Sequence, residues 1–368
     1  MRNGIEAFGA RADRWLEDNA GQAPRNYGAI VPADLVHDAR RWQRSLHAAG
    51  FAGLHWPAET GGQGLTPDHT AAWIAVCARH DVPPFLNMVG HVLAAGSLLA
   101  FGTDEQRGEH LPGTATGDVV WCQLFSEPGA GSDLASLATR ADPDRATGGW
   151  RLTGQKVWCS NGRVADRGIC LARTDPEAPR HAGISFFLLD MDAPGVDVRP
   201  LRQLTGESEF DEVFLDGAPV APAALVGPLH GGWQVAMATL MNERGHIGAS
   251  AIGLQRRLDG LLAGGQGLDA VGRDELLRLW SRGSTLLALA HRQGPVASVA
   301  ASLLKLGVTE LGFDTAVLRA GVAGASALLA DDPAARELLA APGGRIAGGT
   351  TEIQRTIIGE RLLGLPKG

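Results

Sequence analysis

Glycine, hydroxyl and carboxyl groups are concentrated in residues 126–133, which read SEPGAGSD. The segment leaves a β-rich run and enters a glycine-rich turn, where backbone N–H groups are free to point at an anion. Ser126 and Ser132 add hydroxyl donors to the same turn. The alternative is that Ser132 and Asp133 simply cap a helix. Taken alone, this segment indicates either an anion-binding turn or the start of a helix.

Two further segments combine glycine, hydroxyl and aromatic residues. Trp158 and Ser160 lie two residues apart on a strand-like pattern, so they are expected to face the same side of that strand. Residues 348–352, GGTTE, precede an amphipathic helical pattern, and a helix N-terminus preceded by glycines favours anions. Glu352 has a simpler alternative role, as a first-turn acid that stabilises the helix dipole.

A Glu-Arg dipeptide, Glu243-Arg244, falls on the apolar side of a helical pattern. The apolar stripe reaches Leu240, and the i+3 and i+4 steps from Leu240 land on Glu243 and Arg244. A carboxylate held in a dry environment can remove a proton from carbon. The alternative is a structural ion pair inside a helical bundle.

The order and spacing of WCQLFSEPGAGSD at 121–133, GWRLTGQKVWCSNG at 149–162 and GGTTEIQR at 348–355 resemble the acyl-CoA dehydrogenase family. The resemblance covers almost the whole chain. It implies bound FAD and oxidation of an acyl-CoA thioester across its α and β carbons. It places Trp158 against the isoalloxazine ring, Ser160 at flavin N5 and Ser126 at the pyrimidine edge. The implied cofactor-binding positions are Gln123, Leu124, Phe125, Ser126, Ser132, Trp158, Cys159, Ser160, Thr350, Thr351 and Glu352.

The resemblance also implies a catalytic base. Many family members carry a glutamate directly before the Gly-Thr of the third segment, where this chain has Gly348. A smaller branch carries it in a Glu-Arg dipeptide on the first bundle helix, which implies Glu243. Glu243 would then accept the α proton while the β hydrogen leaves as hydride to flavin N5, and the Gly348 N–H and a flavin ribityl hydroxyl would polarise the carbonyl. The implied substrate-binding residues are Ser132, Arg244 and Gly349.

Composition excludes several other classes of protein. The 368 residues carry a net charge of -7, which argues against a nucleic-acid surface or a polybasic membrane anchor. The four cysteines lack paired CxxC spacing, so neither a metal site nor a disulfide framework is expected. The start of the chain has no apolar core of the signal-peptide kind, and the longest apolar stretch is too short to span a bilayer. We therefore expect a cytoplasmic protein without a metal.

The elements that position these residues change along the chain. Residues 1–117 and 223–368 show helix-period apolar positions, whereas residues 118–222 contain short β-rich runs between turn residues. We expect an α+β protein with an N-terminal α-helical domain (1–117), a middle antiparallel β domain (118–222) and a C-terminal four-helix bundle (223–368). The predicted bundle helices are 233–262, 273–292, 296–329 and 352–363. This is also the architecture of the family.

Two features of the family are absent from the sequence. An Arg followed by Phe-Gly, which reaches a partner subunit's FAD, has no counterpart in residues 261–280. A later Gly-Gly-x-Gly turn is replaced by GVAGASALL at 321–329. Two assemblies therefore stay open: a homodimer or homotetramer, and a heterotetramer with a homologous subunit. By resemblance, an electron-transferring flavoprotein is the expected electron acceptor.

Other chemistries are compatible with the same fold. An oxidase that reacts directly with oxygen, and a desaturase of acyl groups on a carrier protein, are the alternative enzymes. A non-enzymatic subunit is a third alternative, although the acidic composition argues against nucleic-acid binding and Glu243 argues against a purely structural role.

Overall fold

A computed structural model of the chain describes residues 2–25, 30–244, 247–264, 268–290 and 297–366. Within these ranges, side chains are described except at positions 2–3, 242–244, 247–249 and 297–299. The chain divides into two compact units, one made of residues 1–203 and 207–242 and the other of residues 204–206 and 243–368. The first unit holds the N-terminal helices, the sheet and residues 232–242 of the helix Gly232–Arg244, and the second holds the helices that follow.

Helices of the N-terminal region begin and end at recognisable signals. Thr103 caps its helix by accepting a hydrogen bond from the Gln106 N–H (3.2 Å), and the Gln106 side chain accepts one from the Thr103 N–H (3.0 Å). Gly117, with φ +81°, ends the same helix in the left-handed conformation that glycine favours. The helices are α1 (Arg2–Asn19), α2 (Val36–Ala48), α3 (Pro67–His80), α4 (Ala95–Phe101) and α5 (Asp104–Thr116), with a π-helical stretch at Val89–Ala94.

The middle of the chain forms one eight-stranded sheet in the described residues. The strands are β1 (Trp121–Leu124), β2 (Arg140–Asp144), β3 (Gly149–Ser160), β4 (Arg167–Arg173), β5 (Ile184–Asp190), β6 (Val196–Leu201), β7 (Phe210–Val220) and β8 (Leu225–Val226). Their order in the sheet is β6-β7-β3-β2-β4-β5-β8, with β1 beside β4. The β1–β4 and β2–β4 pairings are parallel and the others are antiparallel.

Strand β4 illustrates how the sheet separates two apolar cores. Because successive side chains on a strand point to opposite faces, Ile169 and Leu171 join the core that contains α4 and the π-helical stretch. Cys170 and Ala172 join a second core on the other face, with residues of β3, β5 and β7. The sheet is thereby covered on both faces at β4, which explains why the strand is almost continuously apolar.

Helix α6 (Gly232–Arg244) belongs mostly to the first unit. The helices of the second unit are α7 (Ile247–Ala263), α8 (Ala270–Ala290), α9 (Ala297–Ala323), α10 (Pro333–Ile346) and α11 (Thr351–Arg361). The long helix α9 packs against each of the other four. The core between α7, α8 and α9 contains Leu254, Leu258, Leu276 and Leu311, all buried.

The predicted order of helices, sheet and helices is confirmed, with five differences in detail. The sequence indicates two separate β-rich runs, 150–152 and 157–159, and a turn at DGAP (216–219), whereas both runs belong to the single strand β3 and DGAP lies inside β7. The sheet is not wholly antiparallel, because β4 also pairs in parallel with β1 and β2. The predicted helix 233–262 is described as α6 and α7, with residues 245–246 between them outside the described residues. Helix α10 was not predicted because Pro342 and two glycines within it read as breakers.

Throughout the described ranges, no helix is long and apolar enough to cross a membrane. In that same part of the chain, no group of three or more His, Cys, Asp or Glu side chains is arranged to hold a metal ion.

Candidate active site

The SEPGAGSD segment forms a closed turn directly after β1. Strand β1 and Phe125 are buried except for half-buried Gln123, and Ser126 is half-buried where the chain leaves the sheet. Glu127 and Ala130 exchange backbone hydrogen bonds of 3.1 and 3.0 Å, which makes the intervening Pro128-Gly129 an exposed tip. The predicted Ser126 hydroxyl therefore lies at the base of the turn.

Beyond the tip, the chain does not enter a regular α-helix. Residues Leu134–Ser136 form a three-residue 3-10 turn, and Asp133 makes no side-chain cap to its backbone. Instead, Asp133 accepts a hydrogen bond from the Ser136 hydroxyl at 2.5 Å and pairs with Arg180 at 3.1 Å. Ser132 is exposed. The helix-capping alternative for Ser132 and Asp133 is thus not supported, and the Ser132 hydroxyl is accessible.

The second segment lies at the end of β3 and contains an irregularity that the sequence did not reveal. The pairing of β3 with β7 shifts register between Lys156 and Cys159. Within this bulge, Trp158 adopts φ +60° and its side chain is 55% exposed. A left-handed conformation costs a non-glycine residue about 1–2 kcal/mol, and strain of this kind is concentrated at functional sites. Cys159 is fully buried and Ser160 is half-buried, so Trp158 and Ser160 lie on the more accessible side of the strand.

Lys156 joins the two segments and was not singled out from the sequence. Its Nζ lies 2.8 Å from Glu127 Oε1 and donates a second hydrogen bond to the Phe125 carbonyl at 3.2 Å. One residue later, the Val157 N–H donates to the Ser126 carbonyl at 2.9 Å. These contacts fix the first turn against the bulge that carries Trp158. The available signal was the rarity of lysine, which occurs only at positions 156, 305 and 367.

The Glu127 carboxylate is the ion-pair partner of Lys156. It accepts hydrogen bonds from the Ala138 N–H (2.6 Å) and the Thr139 N–H (3.0 Å) in addition to Lys156. Burial alone would raise the pKa of Glu127, but the Lys156 ammonium and these donors hold it below its ordinary value. Glu127 is therefore a structural anion and not a candidate base.

The third segment begins with two glycines in left-handed conformations. Gly348 has φ +66° and Gly349 has φ +93°, values that glycine adopts readily and other residues do not. Thr350 then caps α11 by accepting a hydrogen bond from the Ile353 N–H at 3.3 Å. In the described part of the chain, the N–H groups of Gly348 and Gly349 make no hydrogen bond. The segment is a short left-handed loop whose first donors are available to a ligand.

Two buried contacts anchor this loop. Gln354 is fully buried, and its Nε2 donates to the carbonyls of Gly348 (3.1 Å) and Gly349 (3.3 Å). On α9, Glu310 Oε1 accepts from the Thr351 hydroxyl at 3.1 Å and from Arg345 Nε at 3.0 Å. Neither residue was predicted as part of the site.

Glu352 lies beyond the cap on the exposed side of α11. Its own backbone N–H and the Thr350 hydroxyl lower the pKa of its carboxyl from the ordinary value. This arrangement agrees with the simpler role of a first-turn acid, and it leaves a contact with a ligand as a prediction.

Helix α6 carries the predicted apolar stripe. Val235 and Ala236 are fully buried, and Trp233, Met237 and Leu240 are partly buried against the core around α4. The Glu243 and Arg244 backbones end α6, but their side chains lie outside the described residues. The predicted base and its neighbour are therefore placed only by their position in the helix.

Among the predicted residues, the structure brings together two groups. In the first unit, Phe125 and Ser126 lie beside the strand end that carries Trp158 and Ser160. In the second unit, Gly348, Gly349, Thr350 and Thr351 form the loop before α11. Each group offers hydroxyls and backbone donors, and the first adds an exposed aromatic ring. These are the features that bind an anionic ligand with a flat aromatic moiety.

Three family models match the chain. They are the acyl-CoA dehydrogenase N-terminal domain at residues 11–118, the middle domain at 122–217 and the C-terminal domain at 275–363. Together they match well over half of the chain.

Individual proteins are similar over the same length. Acyl-CoA dehydrogenase IpdE1 of Mycobacterium tuberculosis is 38% identical, with 99% of this chain and 98% of IpdE1 covered. Acyl-CoA dehydrogenase FadE34 of the same organism is 40% identical over 96% of this chain, which spans only 50% of FadE34. The solved structure of the Tcur3481-Tcur3483 steroid ACAD is 25% identical with a TM-score of 0.84, covering 100% of this chain and 98% of that one. The chain therefore belongs to the acyl-CoA dehydrogenase family and is an oxidoreductase of that family.

Proposed function

We propose that this protein catalyses the FAD-dependent α,β-dehydrogenation of an acyl-CoA thioester, with Glu243 as the base. The observation that carries the proposal is Trp158, an aromatic side chain held 55% exposed on a left-handed backbone beside the Ser126 turn. The ring makes one edge-to-face contact, with Phe210 at 5.9 Å between ring centroids, and still stays more than half exposed. Packing therefore gives little reason for the costly backbone conformation, whereas the family resemblance gives the ring a flat partner, the isoalloxazine ring of FAD.

The residues present fit FAD in chemical type. In the first unit, the Trp158 ring, the Ser126 and Ser160 hydroxyls and the backbone of 123–125 are the proposed contacts. Cys159 can contribute only its backbone, because its side chain is buried. In the second unit, Thr350, Thr351 and Glu352 are the proposed contacts. The flavin, when bound, supplies a hydride acceptor.

Glu243 is proposed as the base partly because the alternative position is unsuitable. Gly348, where many members carry the base, has no side chain, and its φ of +66° in this chain is one that glycine adopts more readily than other residues. Glu243 follows buried Thr239 by four residues on α6, the interval that returns to the same face of a helix. Arg244, adjacent to the base, is proposed to bind substrate.

The thioester carbonyl needs donors, since negative charge develops on its oxygen as the α proton leaves. The Gly348 N–H is the proposed donor, with Gly349 beside the thioester. Ser132, exposed at the turn after β1, is proposed to bind both the cofactor and the CoA chain.

The proposal also covers the acyl group of the substrate, the electron acceptor and the assembly of subunits. Similarity to a steroid ACAD supports a bulky acyl group, and an electron-transferring flavoprotein is the proposed acceptor. We propose a heterotetramer with a homologous subunit for two reasons. The name of that solved structure has two components, and residues 261–280 of this chain lack the Arg followed by Phe-Gly that reaches a partner's FAD. A homodimer or homotetramer is the alternative assembly.

Glu243→Gln tests the proposed chemistry. The variant should keep its flavin, because the change is isosteric, but anaerobic flavin reduction by an acyl-CoA substrate should slow by at least about a hundredfold. Glu275→Gln, an exposed change on α8, is the matched control and should reduce at the wild-type rate. Wild-type reduction by Glu243→Gln would rule out this base.

A further inference from the structure

We propose that Gln354 is a positioning residue for the thioester carbonyl. Its side-chain amide holds the two peptide groups that follow the Gly348 N–H, so that this loop presents its donors to the ligand. The inference rests on the proposed function, and it concerns a side chain outside the set that the family resemblance supplies.

The geometry defines which way the amide points. Gln354 Nε2 carries two hydrogens, and its two contacts are the carbonyl oxygens of Gly348 (3.1 Å) and Gly349 (3.3 Å). The reverse orientation would set Gln354 Oε1 against those two oxygens, where only repulsion is available. The amide therefore acts as a double donor to consecutive peptide groups.

Holding the carbonyls also directs the N–H groups. In a trans peptide, the C=O and the following N–H point in opposite directions. The bonds to the Gly348 and Gly349 oxygens consequently turn the Gly349 and Thr350 N–H groups away from Gln354. Because the Gly348 carbonyl is fixed, the rotation of Gly348 that sets the direction of its own N–H, the proposed donor to the thioester, is restrained as well. Two successive glycines have no side chain to restrict their rotation, so the Gln354 amide supplies a restraint that the loop itself lacks.

Packing alone does not account for Gln354. It is fully buried, and in the described part of the chain its Oε1 finds no hydrogen-bond partner. A methionine would fill a similar volume without burying an unpaired acceptor. The neighbouring Thr351 is separately anchored to Glu310 at 3.1 Å, so the start of α11 does not depend on Gln354 for its attachment to α9.

The test uses acetoacetyl-CoA, which ionises at its α carbon without having to transfer a hydride. The ultraviolet absorbance of its enolate, titrated against pH on the flavin-loaded protein, measures how well the bound carbonyl is stabilised. Gln354→Met removes both donors, and Gln354→Glu retains the length and, when protonated, one donor. Arg355→Gln, an exposed change on the same helix, is the matched control.

With Gln354→Met, we expect the bound enolate fraction at a fixed pH to fall about tenfold or more, while flavin content stays at the wild-type level. Gln354→Glu should show an intermediate loss that grows as pH rises, and Arg355→Gln should show none. Unchanged enolate formation in both Gln354 variants would overturn the proposal. The proposal would also be overturned if the Gln354 variants lost flavin but the molecules that kept it still formed the acetoacetyl-CoA enolate normally, because that result is expected of a purely structural residue. A wild-type protein that binds no flavin would refute the proposed function itself, and the inference with it.

Discussion

Lys156 Nζ lies 2.8 Å from Glu127 Oε1, and the two side chains are only 0% and 7% exposed. The pair joins the turn after β1 to the bulge at the end of β3. Two charges withdrawn from water in this way are stable only while each has its partner and its hydrogen bonds. The segments predicted to hold the flavin are therefore tied together by an ion pair that does not itself touch a ligand in our proposal.

Breaking this pair should destabilise the first unit strongly. We expect Lys156→Met to lower the free energy of unfolding by about 3–5 kcal/mol, because Glu127 is left as an unpaired buried charge. Denaturant unfolding followed by circular dichroism measures this. The control is Arg140→Met, which removes an exposed ion pair with Asp142 at 3.1 Å and should cost less than about 1 kcal/mol. Similar losses in both variants would contradict the burial of the pair.

The pH dependence of the stability of Lys156→Met tests the same ion pair in a second way. The folded-state pKa of Glu127 is lowered, so its contribution is present above its unfolded pKa of about 4.3 and is lost as pH falls through the folded value. Lys156→Met removes the main cause of that depression. The acid side of the stability profile should therefore be shallower in Lys156→Met than in the wild type.

We expect Trp158 to lower the stability of the folded protein and to strengthen its binding of flavin. Trp158→Ala and Trp158→Gly both remove the ring, but only glycine accepts φ +60° without strain. In flavin-free protein, we expect the free energy of unfolding of Trp158→Gly to exceed that of Trp158→Ala by about 1 kcal/mol. Denaturant unfolding measures this difference. Both variants should bind flavin more weakly than the wild type, as measured by fluorescence titration. Equal stability of the two variants would argue against the left-handed backbone at Trp158. Unchanged flavin affinity would argue against a contact between the Trp158 ring and the flavin.

His91 makes stability depend on pH in a different range. It is buried in the π-helical stretch between the rings of Trp56 and Phe85, with Nδ1 3.3 Å from the Asn87 carbonyl and no partner for Nε2 in the described residues. Burial lowers the pKa of His91 to about 4, which outweighs the raising effect of Asn87. The folded protein therefore binds fewer protons than the unfolded chain between about pH 4 and the unfolded value near 6.5.

Stability should consequently be complete above about pH 6.5 and decline as pH falls to 4, by about 3 kcal/mol from this group. His91→Phe should remove that part of the decline. Unfolding midpoints measured from pH 7 to 4 test this, with exposed His37→Gln as the control. A profile for His91→Phe that still parallels the wild type would show that His91 is not the group responsible.

The sequence predicted where the candidate segments lie in the fold better than it predicted the contacts that hold them in place. Trp158 and Ser160 lie on the accessible side of β3 as expected from the period of a strand, but the bulge that sets Trp158 at positive φ depends on pairing with β7, which no local pattern encodes. Lys156 was missed because a lone lysine in a strand is usually solvated, and its burial depends on a glutamate 29 residues away. Gln354 was missed for a similar reason, since its helix periodicity gives no sign that it reaches back to Gly348 and Gly349.

The proposed activity requires a bound flavin that a CoA thioester can reduce. The visible spectrum and the flavin content per chain should be recorded for the protein expressed alone and together with a homologous subunit. In at least one of these two preparations, we expect a flavin spectrum that a CoA thioester bleaches anaerobically, with FAD as the extracted cofactor. A flavin-free protein in both preparations, or a bound flavin that no CoA thioester reduces, would contradict the proposed activity.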